Sequence, residues 1–125
     1  MQKVSRSYLI ERFRERVLVL DGAMGTMLQR KGLSGNSEGF NLTAPEAILD
    51  IHRAYIAAGT DIIESNTFSA NRISQKEYGM EDRAREMALE GARLARRAAY
   101  EWFIQEKGHN PGRDGQNEEI GRAHV

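Results

Sequence analysis

The chain has 125 residues, of which 40% are hydrophobic and 29% charged, the balance of an ordinary soluble globular domain. Its 18 basic and 18 acidic side chains cancel, which excludes the one-sided field that nucleic-acid binding requires and leaves a small ligand or a protein as partner. It has no cysteine, so a disulfide framework, a thiolate nucleophile and any cysteine-held zinc or iron–sulfur site are excluded from its own residues.

No apolar run reaches the length of a membrane span, and residues 1–6 lead into the charged stretch Glu11-Arg12-Phe13-Arg14-Glu15-Arg16, not into an apolar signal core. The expectation is a cytoplasmic protein with no membrane partner. Residues 5–16 carry Tyr8, Leu9 and Phe13 among charges and predict a short amphipathic helix lying on the outside of the domain. Residues 17–20, Val-Leu-Val-Leu closed by Asp21-Gly22, read as a strand buried on both faces. Met24, Met27 and Leu28 then recur at helical spacing through Arg30. The glycines, serines and Asn36 of 31–40 make a loop.

A capping box is expected at Thr43-Ala44-Pro45-Glu46, with Thr43 as cap. It opens a helix that buries Ile48, Ile51 and Tyr55 and stops at Gly59. Thr60-Asp61-Ile62-Ile63-Glu64 reads as a second strand, so that helix between strands gives a βαβ unit with a parallel pair. A short helix is expected over 71–78. A long one comes next over 81–107, burying Ala84, Met87, Ala88, Leu94, Ala95, Ala98, Trp102 and Phe103 on one side. Gly91 inside it costs up to ~1 kcal/mol of helix propensity, so either close packing requires it or nothing depends on it. From Gly108 the apolar pattern ceases until Ile120, and a disordered tail is expected over 108–125.

Chemistry concentrates at the two strand ends. A carboxylate at Asp21, where a buried strand stops, faces the place where α/β folds bind ligands and can hold an ammonium group; alternatively it closes an Asx-turn before Gly22. Gly22 and Gly25 admit backbone N–H groups to a ligand, or simply make a tight turn. Ser65 and Thr67 either bond a ligand or cap their own loop, with Glu64 and Asn66 beside them. His52 reads as a packing residue, and His109 and His124 lie in the polar tail, so no metal site is expected. An Asp-Gly after an apolar strand also suggests an aspartyl phosphohydrolase, but that chemistry wants a second acid two residues on, where Ala23 stands. No Lys-Ser/Thr pair comes after the glycines, which excludes a P-loop.

The stretch Leu18-Val19-Leu20-Asp21-Gly22-Ala23-Met24-Gly25-Thr26-Met27-Leu28 resembles the opening strand and loop of the homocysteine-binding module of homocysteine S-methyltransferases, closest to the cobalamin-dependent methionine-synthase kind. The likeness runs on through Asn41-Leu42-Thr43-Ala44-Pro45-Glu46, His52-Arg53-Ala54-Tyr55, 58–68 and Tyr78-Gly79-Met80-Glu81. The resemblance implies a (β/α)₈ barrel that binds homocysteine at its C-terminal mouth. It further implies zinc held by three cysteines from later strands, and a methyl group delivered by methylcobalamin on another module, with folate and cobalamin modules as further partners.

Position by position, the resemblance places Asp21 at the amino-acid end of the substrate. It places Ser65 and Thr67 in the hydroxyl-bearing second-strand loop, with Glu64 and Asn66 adjacent; Ser65 stands where many relatives carry Thr. The zinc cysteines have no counterpart, and the 31–40 loop is shorter than in many relatives. The expected fold class is therefore α/β, an incomplete N-terminal portion of a (β/α)₈ TIM barrel over 17–107, braced by residues 1–16. The expected substrate-binding residues are Asp21, Gly22, Glu64, Ser65, Asn66 and Thr67.

The expected function is that of part of a methionine synthase homocysteine-binding domain. Its parent methyltransferase uses zinc and cobalamin, while this chain binds neither and is inactive alone. The alternative is an inactive remnant or a non-catalytic interaction protein. Residues 119–125 resemble translated sequencing-adapter DNA, which makes an artefactual tail the expectation there.

Overall fold

A computed structural model describes residues 3–109 and 123–124. In chain order the elements are α1 (Arg6–Glu15), α2 (Met24–Arg30), α3 (Phe40–Thr43), α4 (Pro45–Ala57), β1 (Ile62–Ile63), α5 (Arg72–Gln75), two 3₁₀ turns (Lys76–Tyr78 and Glu81–Arg83), α6 (Ala84–His109) and β2 (Ala123–His124). Among the described residues no helix is long and apolar enough to cross a membrane.

The core is a helix-on-helix layer. The apolar stripe of α4, with Ile48, Leu49, Ile51 and Ile56 buried, joins Leu28 of α2 and Leu94, Ala95, Ala98 and Ala99 of α6 in one cluster that also takes in Ile63. Burying each large aliphatic chain is worth about 1.5–3 kcal/mol, so these positions carry most of the stability of the layer. The alanines are short, which lets α4 and α6 approach closely. The α4 helix ends as the sequence predicts: Gly59 has φ +109°, while its N–H bonds to Ile56 O (3.0 Å) and Thr60 N–H to Tyr55 O (3.2 Å). That is the two-bond Schellman closure, which needs a left-handed residue at Gly59.

Its start differs from expectation. The residue at the N-cap is Ala44, which makes no side-chain bond, and the Thr43 hydroxyl donates backward to Gly39 O. Residues 40–43 already form the turn α3, so Thr43 is committed to that turn and the capping box does not form.

The expected α/β fold, an N-terminal portion of a (β/α)₈ barrel, is not what forms. Helix dominates the described residues, and strand is confined to Ile62–Ile63 and Ala123–His124. Residues 17–20 were expected as a strand buried on both faces. Only Leu20 makes a bridge, parallel to Ile62, and Val17 is 83% exposed. A parallel strand buried on both faces requires a neighbour on each edge and cover on each side. Here β1 supplies one neighbour, through Asp61 N–H to Val19 O (2.8 Å) and Asp21 N–H to Ile62 O (3.0 Å). Leu20, on the face opposite Val17 and Val19, is itself 53% exposed, so neither face of this segment is fully covered. On its other edge β1 pairs in parallel with β2, Ile62 opposite Ala123 and Ile63 opposite His124; the rest of the tail expected to be disordered lies outside the described residues.

One polar contact ties α1 to this pair of strands. Arg16 donates two bonds to the Asp61 carboxylate, at 2.9 and 2.7 Å, and Asp61 Oδ2 also accepts from Val19 N–H at 2.9 Å. Arg16 is 55% exposed, so the ion pair alone contributes little; the Val19 amide, bonded to an Asp61 side chain that is only 9% exposed, contributes more. Asp61→Ala is expected to lower stability by about 1–2 kcal/mol in a urea titration and Arg16→Ala by under about 1 kcal/mol. Equal losses would show that the ion pair, not the amide bond, holds the strand.

Candidate functional site

The ends of the two strand segments open onto a cleft of about 200 Å³. One wall is the loop after β1, with Glu64, Ser65, Asn66, Thr67 and Phe68; the floor is Asp21, Gly22 and Gly25; the facing wall is Ser37 and Glu38. All six residues singled out from the sequence (Asp21, Gly22, Glu64, Ser65, Asn66 and Thr67) thus line one depression, though they do different things there.

Asp21 is half-buried, and its Oδ2 accepts the Glu64 amide hydrogen at 3.1 Å. Loss of water around it, with the Glu64 charge nearby as a lesser cause, raises its carboxyl above the ordinary aspartate value against the lowering effect of that amide bond. Glu64 itself is exposed. Ser65 Oγ and Thr67 Oγ1 lie 2.8 Å apart and share one hydrogen bond, leaving lone pairs and one hydroxyl hydrogen for a ligand. Asn66 is buried, and its amide is committed to Ser37 O (2.9 Å) and Asn41 Oδ1 (3.0 Å); the side chain holds the loop and does not reach into the cleft unpaired. A Cβ at Gly22 would stand 3.0 Å from Tyr55 Oη, and Tyr55 Oη donates to Ala23 O at 2.7 Å. The close approach of α4 to the Asp-Gly turn therefore uses this glycine.

Asn41, Tyr55 and Asp61 are contributors that the sequence alone did not single out. Each acts on a partner at least 25 residues away. The one local signal was that Asn41 is a polar residue just ahead of an apolar helix. Chemically, a half-buried carboxylate, two hydroxyls and the carboxylates of Glu38 and Glu64 suit a small ligand with an ammonium group and further hydrogen-bond donors.

The acid at Asp21 also gives a pH signature. A carboxyl raised in the folded state favours folding while protonated, and that contribution is lost as pH rises from its unfolded value through its folded one. Asp21→Asn keeps an acceptor for the Glu64 amide and removes the charge. It is expected to raise the urea midpoint at pH 7 and to flatten the fall in stability as pH rises above the ordinary aspartate value; a lower midpoint at pH 7 would mean that the ionised form is the stabilised one.

Among the described residues no group of three His, Cys, Asp or Glu side chains is placed to hold a metal ion, and the chain has no cysteine to supply a zinc thiolate. The donor set of the described residues does not fit the zinc centre that the resemblance implied. The expected role as part of a catalytic methionine synthase domain is corrected accordingly: the barrel, the zinc ligands and the cobalamin-linked methyl transfer that define it have no basis in these residues. The chain's residues 18–107 match the family described as homocysteine S-methyltransferase. The match takes in the Asp21 turn, α4, β1 and the 64–68 loop, and with it the chain belongs to the homocysteine S-methyltransferase family.

Proposed function

We propose that this chain is a non-catalytic member of its family that acts as an interaction module. Its partner is a protein that adds parallel strands beside residues 17–20 and closes the cleft over Asp21. The observation that carries this reading is the uncovered edge segment: Val19 and Leu20, which point to its opposite faces, are 52% and 53% exposed in the same segment whose backbone pairs with β1. Apolar side chains on an edge segment are a template for strand addition, and Phe68, 96% exposed at the rim of the cleft, extends the same invitation.

Homocysteine fits as the ligand of the complemented assembly, with its ammonium at Asp21 and its carboxylate near the Ser65 and Thr67 hydroxyls. Alone, the cleft is open on one side, and water competes for each of these bonds. Methyl transfer is not part of the proposal, because none of the described residues forms a metal site to activate the sulfur.

The test is to co-express the chain with a polypeptide carrying the later strands of a family barrel and to measure the pair by sedimentation velocity. A 1:1 complex is expected, and Val19→Lys is expected to weaken it by roughly tenfold or more, since a charge on the added face must be desolvated. The purified chain should bind a hydrophobic dye, and the complex should not. A chain that stays unpaired and binds no dye, or one that transfers a methyl group to homocysteine by itself, would overturn the reading.

A further inference from the structure

The two walls of the cleft come from distant parts of the chain, and a buried pair of carboxamides joins them. Asn41, at the start of the turn before α4, is 2% exposed, and Asn66 is 6% exposed. Asn41 Nδ2 donates to Asn66 O (2.8 Å) and to Met87 O of α6 (3.0 Å). Asn66 Nδ2 returns a bond to Asn41 Oδ1 (3.0 Å) and gives a second to Ser37 O (2.9 Å). Every polar atom of the Asn41 side chain is thus used, and one pair grips the 65–67 loop, the Ser37 wall and α6 at once.

Gly91 is the position that makes room for this. A Cβ built there would lie 2.6 Å from Asn41 Nδ2, 2.8 Å from Thr67 Cγ2 and 3.0 Å from Asn66 O. Real Cβ atoms do not approach so closely, and two of the three atoms belong to the network, with no free side-chain end to yield. A glycine that is costly in the middle of a helix is here the reason that α6 can lie against the loop.

We infer that Asn41, seated against Gly91, is the positioning residue of the cleft: it sets the separation of the Ser37–Glu38 wall from the Ser65–Thr67 wall. The role is exerted through Asn66, and Asn41 touches no ligand. The functional meaning rests on the proposed ligand site, whereas the coupling of the two walls does not.

The test reads the free chain by NMR and amide hydrogen exchange, with no ligand added. Asn41→Ala is expected to shift the amide resonances of both walls together and to speed exchange at the Glu64 amide, which is held by Asp21, by about tenfold. Ile56→Val, a core change of about 0.5–1.5 kcal/mol at a residue outside the Asn41–Asn66 hydrogen-bond network, serves as control and should leave those amides in place. Gly91→Ala provides the second variant, because helix propensity alone predicts that it stabilises α6. Instead it should disturb the same two walls, and its added effect should be smaller in an Asn41→Ala background, where the nearest clash is gone.

Wall resonances that move no more in Asn41→Ala than in Ile56→Val, or a Gly91→Ala chain with unaltered wall resonances and raised stability, would overturn the inference. Should Asn41→Ala fail to fold, Gly91→Ala decides alone. If the walls move together but homocysteine never binds even in the complemented complex, the ligand reading falls and the positioning role stands.

Discussion

The close contact of α4 with the alanine side of α6 is the constraint on which the remaining arrangement depends. Ala95, Ala98 and Ala99 present little more than backbone to Ile48, Leu49 and Ile51, and the three alanines are completely or almost completely buried. At the rim, Arg53 bonds Glu101 at 3.0 and 3.3 Å, and Arg97 bonds the same carboxylate at 3.0 Å. Of these, the part-buried Arg53–Glu101 pair spans α4 and α6 and fixes the rotation of one helix on the other more than it adds stability, while Arg97 holds Glu101 from within α6. With α4 and α6 so placed, Ile63 has one apolar surface to cover it, and β1 is drawn to the helix layer. A substitution that enlarged an alanine of α6 would lift α4 away and take β1, and with it the cleft, along.

The strand side is held differently. Residues 17–20 have few buried side chains, and their position is fixed by backbone bonds to β1 and by the Asp61 carboxylate, which bonds both the Val19 amide and Arg16. The molecule therefore divides into a helix layer that stabilises itself and a strand layer that depends on it. The cleft lies where the two meet. Its floor residue, Asp21, belongs to the weaker layer, whereas its walls are tied to the stronger one through Asn41 and Met87 O.

The helical elements were legible in the sequence because their signals are local. The apolar spacing of Ile48, Ile51 and Tyr55 and the stop at Gly59 each act within one or two turns. The strands were over-read for the converse reason: Val-Leu-Val-Leu states a preference, but an extended segment becomes a buried strand only when other parts of the chain cover it, and four apolar letters say nothing about that. The cleft residues were legible as a group, since Asp21 and the 64–67 loop end neighbouring segments. Their division of labour was not. That Asn66 faces a buried carboxamide, that Gly22 yields to Tyr55 and that Gly91 yields to Asn41 are facts of contact between residues far apart in the chain.

Family membership and the barrel are separable for the same physical reason. What the matched stretch of 18–107 encodes is a local order: an apolar segment, the Asp-Gly turn, an amphipathic helix, a second apolar segment and a hydroxyl-bearing loop. That order is sufficient to bring Asp21 within 3.1 Å of the Glu64 amide and the two strand ends into one parallel register. Closure is a collective property, because each strand of a barrel is stabilised by both neighbours and by the helices outside them. Two strand segments beside a helix layer satisfy both requirements only in part. The geometry at Asp21 is thus built without a barrel, and any strand added beside residues 17–20 would have to cover Val19 and Leu20 without displacing the loop that Asn41 holds.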